Sequence, residues 1–153
     1  MNSDKKLKFA LVGCGRISKN HLEALSSGAI PSELAAVCDI VEEKAKTKGE
    51  QFKVPFYTSY DKMMEEHPEV DVVNVATPTG YHAENVIALA KYGKHIVVEK
   101  PMALRVPDCE AMMAACAKHG GRLFVVKQNR FNKAVQAARK ALDSGRFGRQ
   151  VLG

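Results

Sequence analysis

The sequence predicts an α/β fold: a doubly wound, mostly parallel sheet with helices on both faces. Three observations predict it. Short apolar runs alternate with longer stretches of helical spacing along the chain. Glycines and prolines punctuate most of the junctions. The first junction, Gly13-Cys14-Gly15, stands directly between a strand pattern and a helix pattern. Parallel strands need crossovers of about a dozen residues, which helices supply. Strands buried on both faces read as continuous apolar runs, as these do.

Each element has its own signal. Lys8–Val12 is an apolar run closed by glycine, hence a buried strand. Ile17–Ser27 places Ile17, His21, Leu22 and Leu25 at helical spacing, and Gly28 and Pro31 stop it. Leu34–Cys38 is the second strand and Val41–Phe52 a charged helix. Phe56–Tyr57 is a weak third strand; Tyr60–His67 is a short helix ended by Pro68. Asp71–Ala76 is rich in β-branched residues and reads as a strand. Gly80–Tyr92 is an amphipathic helix closed by Gly93, with Thr79 a candidate cap and His82 in its first turn. His95–Glu99 is the fifth strand and Val106–His119 a helix stopped at Gly120-Gly121. Leu123–Lys127 is the sixth strand and Phe131–Ser144 the last helix. Gln150-Val-Leu looks like the opening of another strand, so further sequence is expected beyond it.

Bulk properties narrow the function. The 153 residues suffice for one domain with a real core, and 46% hydrophobic with 26% charged residues is ordinary for a globular protein. No apolar run has the length of a membrane span, and Met1–Lys6 is not followed by the apolar stretch of a signal peptide. A cytoplasmic protein is expected. The four cysteines (Cys14, Cys38, Cys109 and Cys116) lack Cys-x-x-Cys spacing, and Cys14 and Cys38 fall in elements expected to be buried. Neither a metal site nor a disulfide is expected. The net charge of +6 is spread along the chain with no basic run interleaved with aromatics. That argues against nucleic acid and suits an anionic small molecule.

The chemistry gathers at strand ends. Gly13 permits a tight turn and Gly15 a close backbone approach, and the following helix start, with Arg16 and Ile17, offers free N–H groups to a pyrophosphate. Ser18 holds the third fingerprint position, where glycine or alanine is usual. Asp39 ends the second strand, about 20 residues further on, where an acidic residue bonds the ribose hydroxyls of NAD. That carboxylate would repel the extra phosphate of NADP, so NAD is the expected cofactor. Asp39 can also serve the start of the next helix. Ala76-Thr77-Pro78 ends the fourth strand, Glu99-Lys100-Pro101 the fifth, and Gln128-Asn129-Arg130 follows the sixth. Ligands of open parallel sheets bind outside such carboxyl ends. Gly13, Thr77, Lys100 and Gln128 are therefore expected around one cleft. Lys100 is positioned to accept a proton from a substrate hydroxyl, while Glu99 reads as an acceptor bonded at the strand end. Arg130 suits a carboxylate or phosphate. The Lys100–Pro101 peptide is cis or trans, trans being commoner.

Together, Gly13-x-Gly15, His21, Asp39, Thr77-Pro78-x-x-x-His82 and Glu99-Lys100-Pro101 resemble the Gfo/Idh/MocA oxidoreductases over essentially the whole chain. The resemblance implies an NAD-binding Rossmann domain over residues 1–148, with residues 149–153 opening a C-terminal α/β substrate domain. It implies an NAD-dependent enzyme acting on CH–OH groups, with Lys100 catalytic and a second catalytic group in that further domain. The cofactor site would comprise Gly13, Cys14, Gly15, Arg16, Ile17, Asp39, Ala76, Thr77, Pro78, His82, Glu99, Lys100 and Gln128. The substrate would meet Lys100, Gln128, Asn129 and Arg130. Homo-oligomers would assemble through the C-terminal domain, and the 153-residue chain alone would be inactive. Phe124–Arg130 further resembles the branch that oxidises the 3-hydroxyl of UDP-N-acetylglucosaminuronic acid for lipopolysaccharide sugars. A free polyol or inositol as substrate, or a non-enzymatic NAD-binding regulator, stays open beside it.

Overall fold

The computed structural model describes residues 6–149; the strand expected from Gln150 onward lies outside them. The elements run β1 (Leu7–Val12), α1 (Ser18–Ser26), β2 (Ser32–Cys38), α2 (Glu42–Phe52), β3 (Phe56–Tyr57) and α3 (Tyr60–Glu66) in the first half. They continue with β4 (Val72–Val75), α4 (His82–Ala90), β5 (His95–Val98), α5 (Val106–Lys118), β6 (Leu123–Val125) and α6 (Lys133–Asp143). The six strands form one sheet in the order β3-β2-β1-β4-β5-β6, and every neighbouring pair is parallel. The order reverses between β1 and β4. That switch point is where a doubly wound sheet opens a crevice.

Side chains alternate between the two faces of a strand. Ala10 and Val12 of β1, Val73 and Val75 of β4, and Ile96 and Val98 of β5 pack with Met63 and Met64 of α3, Val86 and Leu89 of α4, and Met112 and Cys116 of α5. Leu11 of β1 and Val37 of β2 point the other way, toward Leu22 of α1 and Phe52 of α2. Both faces are covered, as the alternating pattern predicts.

The last helix departs from expectation. Helix α6 buries none of its residues and covers neither face. The strand before it stops at Val125, two residues short of the predicted end, and a 3-10 turn over Gln128–Phe131 redirects the chain. Asn132 then caps α6 by accepting a hydrogen bond from the Ala134 amide at 3.1 Å. The helical spacing of residues 131–144 showed the helix but not the turn ahead of it. Thr79 also differs: it opens a 3-10 turn ahead of α4 and makes no side-chain cap bond. Among the described residues, no helix is long and apolar enough to cross a membrane, and no group of three or more His, Cys, Asp or Glu could hold a metal ion.

Candidate functional site

The β1–α1 turn is built for close approach. Gly13 has φ +97°, and a Cβ there would come within 2.6 Å of the Ala76 carbonyl carbon and the Thr77 nitrogen. Only glycine lets β1 leave the sheet against the end of β4. Gly15 is the opposite case, with nothing within 4 Å of the place its Cβ would occupy. The open space lies beside the start of α1. Among the described residues, the backbone amides of Gly15, Arg16 and Ile17 have no acceptor in the protein. Free N–H groups at a helix start, next to space left by an absent side chain, fit a pyrophosphate. Ser18 fills the third fingerprint position fully buried, and its hydroxyl donates to the Gly15 carbonyl at 2.6 Å. Serine thus keeps the close packing and ties the loop to its own helix.

Asp39 joins this loop to the end of β2. Its Oδ2 accepts from the Cys14 amide at 2.8 Å, and its Oδ1 accepts from the Val41 amide at 2.9 Å. The carboxylate is partly exposed, and each oxygen retains a further lone pair for a hydroxyl. The second bond closes a turn ahead of α2 and does not cap the helix, whose N-cap Val41 has no side-chain cap bond. Cys14 and Cys38 lie beneath, where burial first and the Asp39 charge second push both thiols up to about 12. They remain protonated and pack as small apolar groups. All four cysteines are free thiols.

Across the switch point, side chains replace backbone. Glu99 follows β5 and is 7% exposed. Its Oε1 lies 3.0 Å from His21 Nε2 on α1, and its Oε2 accepts from the Lys100 amide at 3.0 Å. His21 Nδ1 lies 3.2 Å from the Asn74 amide nitrogen on β4. The Lys100–Pro101 peptide is cis. The Lys100 side chain is exposed, with no partner among the described residues. Parallel pairing of β4 with β5 sets Thr77 and Lys100 side by side, and pairing of β1 with β4 sets Gly13 beside Thr77.

His82 is not the helix-surface group its position in the sequence suggests. It is 1% exposed, with Nδ1 3.0 Å from the Pro101 carbonyl oxygen and Nε2 2.8 Å from that of Thr77. Both ring nitrogens are engaged by the protein, so His82 ties the β4 loop to the β5 loop and has no nitrogen left for a cofactor. The Thr77 hydroxyl accepts from the Asn85 side chain at 3.0 Å, which holds that loop from the other side. Ala76 is buried and Pro78 exposed. Gln128, Asn129 and Arg130 are all exposed on the 3-10 turn after β6, beyond Lys100 on the same edge of the sheet. The site residues that sequence reasoning missed are Asn74 and Asn85. A polar residue inside an otherwise apolar β4 was the available signal for Asn74.

The fold is shared with solved dehydrogenase structures, and the sequence with curated dehydrogenases. D-apiose dehydrogenase of Paraburkholderia graminis is 34% identical over 97% of this chain and 40% of its own length. Inositol 2-dehydrogenase of Salmonella typhimurium is 28% identical over 95% of this chain and 44% of its own length. The crystal structure of the WlbA dehydrogenase from Bordetella pertussis, in complex with NADH and UDP-GlcNAcA, is 42% identical. It superposes with a TM-score of 0.89 over 95% of this chain and 44% of that one. The chain therefore spans less than half the length of these relatives. Residues 7–127 match the oxidoreductase family with an NAD-binding Rossmann fold, and the chain belongs to that Gfo/Idh/MocA family.

Proposed function

We propose that this chain is the NAD-binding part of a sugar dehydrogenase, with residues 149–153 opening a substrate domain of the kind its relatives' greater length accommodates. The observation that carries the cofactor reading is the set of unpartnered amides of Gly15, Arg16 and Ile17 beside the empty Cβ space of Gly15. The pyrophosphate rests on those amides. Asp39 receives the ribose hydroxyls, and its charge selects against a 2′-phosphate. NAD, when bound, supplies the hydride acceptor.

Lys100 does the proton work. Its exposed amine stands at the end of β5, between the Thr77 and Gln128 loops. There it takes the proton of the substrate hydroxyl. Gln128, Asn129 and Arg130 contact the substrate, and Arg130 pairs with an acidic group on it. The substrate that fits best is a UDP-sugar acid of the UDP-N-acetylglucosaminuronate type, oxidised at its 3-hydroxyl for surface polysaccharide synthesis. The 42% identity to a structure holding that ligand supports this choice, as does the net charge of +6. The apiose and inositol dehydrogenases among the relatives favour a second reading, a free sugar or polyol. Comparing turnover of UDP-sugar acids with that of inositol, in the enzyme that includes the further domain, separates the two. Assembly into homo-oligomers would run through the further domain.

The cofactor reading is tested by calorimetric titration with NAD and NADP. The chain should bind NAD, and Asp39→Ala should weaken it about tenfold while NADP gains relative to NAD. Absence of NAD binding, or indifference to Asp39→Ala, would refute it.

A further inference from the structure

Glu99 stands out among the polar groups of this edge. It is a buried carboxylate, its side chain 10% exposed, and among the described residues no lysine or arginine pairs with it. Burying a charge is costly unless hydrogen bonds offset it. Two N–H donors meet its two oxygens, His21 Nε2 and the Lys100 amide. On the far side of the ring the Asn74 amide nitrogen lies 3.2 Å from His21 Nδ1 and holds the imidazole with Nε2 toward Glu99. The network therefore fixes the Glu99 carboxylate in place through N–H donors, with no lysine or arginine side chain on it among the described residues.

The position of this charge gives it a use. In a doubly wound sheet the dinucleotide crosses the switch point, one mononucleotide over each half. Asp39, at the end of β2, marks the adenosine side, so the nicotinamide side lies over β4 and β5, where Glu99 ends its strand. Oxidised nicotinamide is a cation and reduced nicotinamide is neutral. A fixed negative charge nearby interacts with one and not the other. We infer that the Glu99 carboxylate, held by His21 and the Lys100 amide, biases this site toward the oxidised form of the cofactor. The inference rests on the cofactor reading above and adds redox-form selectivity to it.

The network also supplies a clean test. In Glu99→Gln the amide oxygen can accept from the Lys100 amide while its nitrogen donates to His21 Nε2. The ring then carries its proton on Nδ1, and a rotated Asn74 amide accepts it. The same three contacts persist, the two on His21 with donor and acceptor exchanged, and only the charge is lost. Rotation merely exchanges which Asn74 amide atom is left over, since its Oδ1 has no partner now.

The measurement is the dissociation constant of the chain for NAD⁺ and for NADH, titrated separately by calorimetry. Glu99→Gln should shift the ratio about tenfold toward NADH. Nearly all of the shift should come from weaker NAD⁺ binding. Equal weakening of both forms, or a ratio unchanged within twofold, would overturn the inference. Should Glu99→Gln fail to fold, Glu99→Met removes the same charge and is held to the same outcomes. Failure of the wild-type chain to bind either form would instead defeat the cofactor reading, and this inference with it.

Discussion

The two halves of the sheet hold their ligand-facing loops in different ways. In the first half, β1 to β3, the loop is shaped by glycine and by main-chain amides; Asp39 is its one acidic side chain, and it is partly exposed. In the second half, β4 to β6, the loops are pinned by buried side chains. Of the four buried polar residues among the described residues, Ser18 lies in the first half, while Asn74, His82 and Glu99 lie in the second. A pyrophosphate is symmetric and highly charged, so N–H groups at a helix start suffice to hold it. Proton transfer demands a fixed amine, because small misplacements cost large factors in rate. The second half spends its buried hydrogen bonds on the backbone around Lys100: Glu99 on its amide, His82 on the carbonyl of the next residue, Pro101.

The sharpest way to break this division is to remove the amine. In the enzyme that includes the further domain, Lys100→Met should lower turnover of substrate by roughly a hundred- to ten-thousandfold. Affinity of the chain for NAD should stay within about twofold, because the anchoring groups belong to the other half. A large loss of NAD affinity in this variant would erase the distinction.

The glycine turn offers a second test, one that separates folding from binding inside the first half. Gly13→Ala places a Cβ 2.6 Å from the backbone of Ala76 at φ +97°. Strain and overlap together should cost at least about 2 kcal/mol of stability, read by denaturant melts. Gly15→Ala meets no protein atom within 4 Å. Its stability should change by less than about 1 kcal/mol. Its NAD affinity should fall tenfold or more, since the methyl enters the space left for the phosphates. Equal stability losses in the two variants would show that the turn is merely structural.

The first half was also the legible half. Gly13, Gly15 and Asp39 form a local pattern whose spacing carries its own meaning, and the structure sets them within one loop system. The second half resisted reading for a physical reason. His21 and Glu99 are 78 residues apart, and Asn74 and His21 are 53 apart. Each taken alone is an ordinary polar residue, and only the sheet order makes them neighbours. His82, expected in the cofactor site, is instead buried, because the loop after β5 brings the Pro101 carbonyl to its Nδ1. The 3-10 turn at Gln128–Phe131 and the cap at Asn132 are short local choices within an apparently continuous strand and helix. Hydrophobic periodicity does not resolve them.

Besides the His21 contacts, a polar link between helical elements crosses between the halves. Asp61 of α3 accepts from the Tyr92 hydroxyl at 2.6 Å and pairs with Lys91 at 2.8 Å, both just beyond α4. The bonds from Lys91 first and Tyr92 second hold its carboxyl below the ordinary 3.8. A carboxylate lowered on folding adds stability above its unfolded value and loses it as pH falls through its folded value. The wild type should therefore outlast Asp61→Asn at neutral pH by a small margin, since the pair is half-exposed and screened. That margin should shrink as the pH drops below about 3.8 and vanish once Asp61 is protonated in both states. Thermal melts of the two proteins from pH 7 to pH 2 check this. A margin that persists at pH 2 would mean that the contact joins the halves by packing rather than by charge.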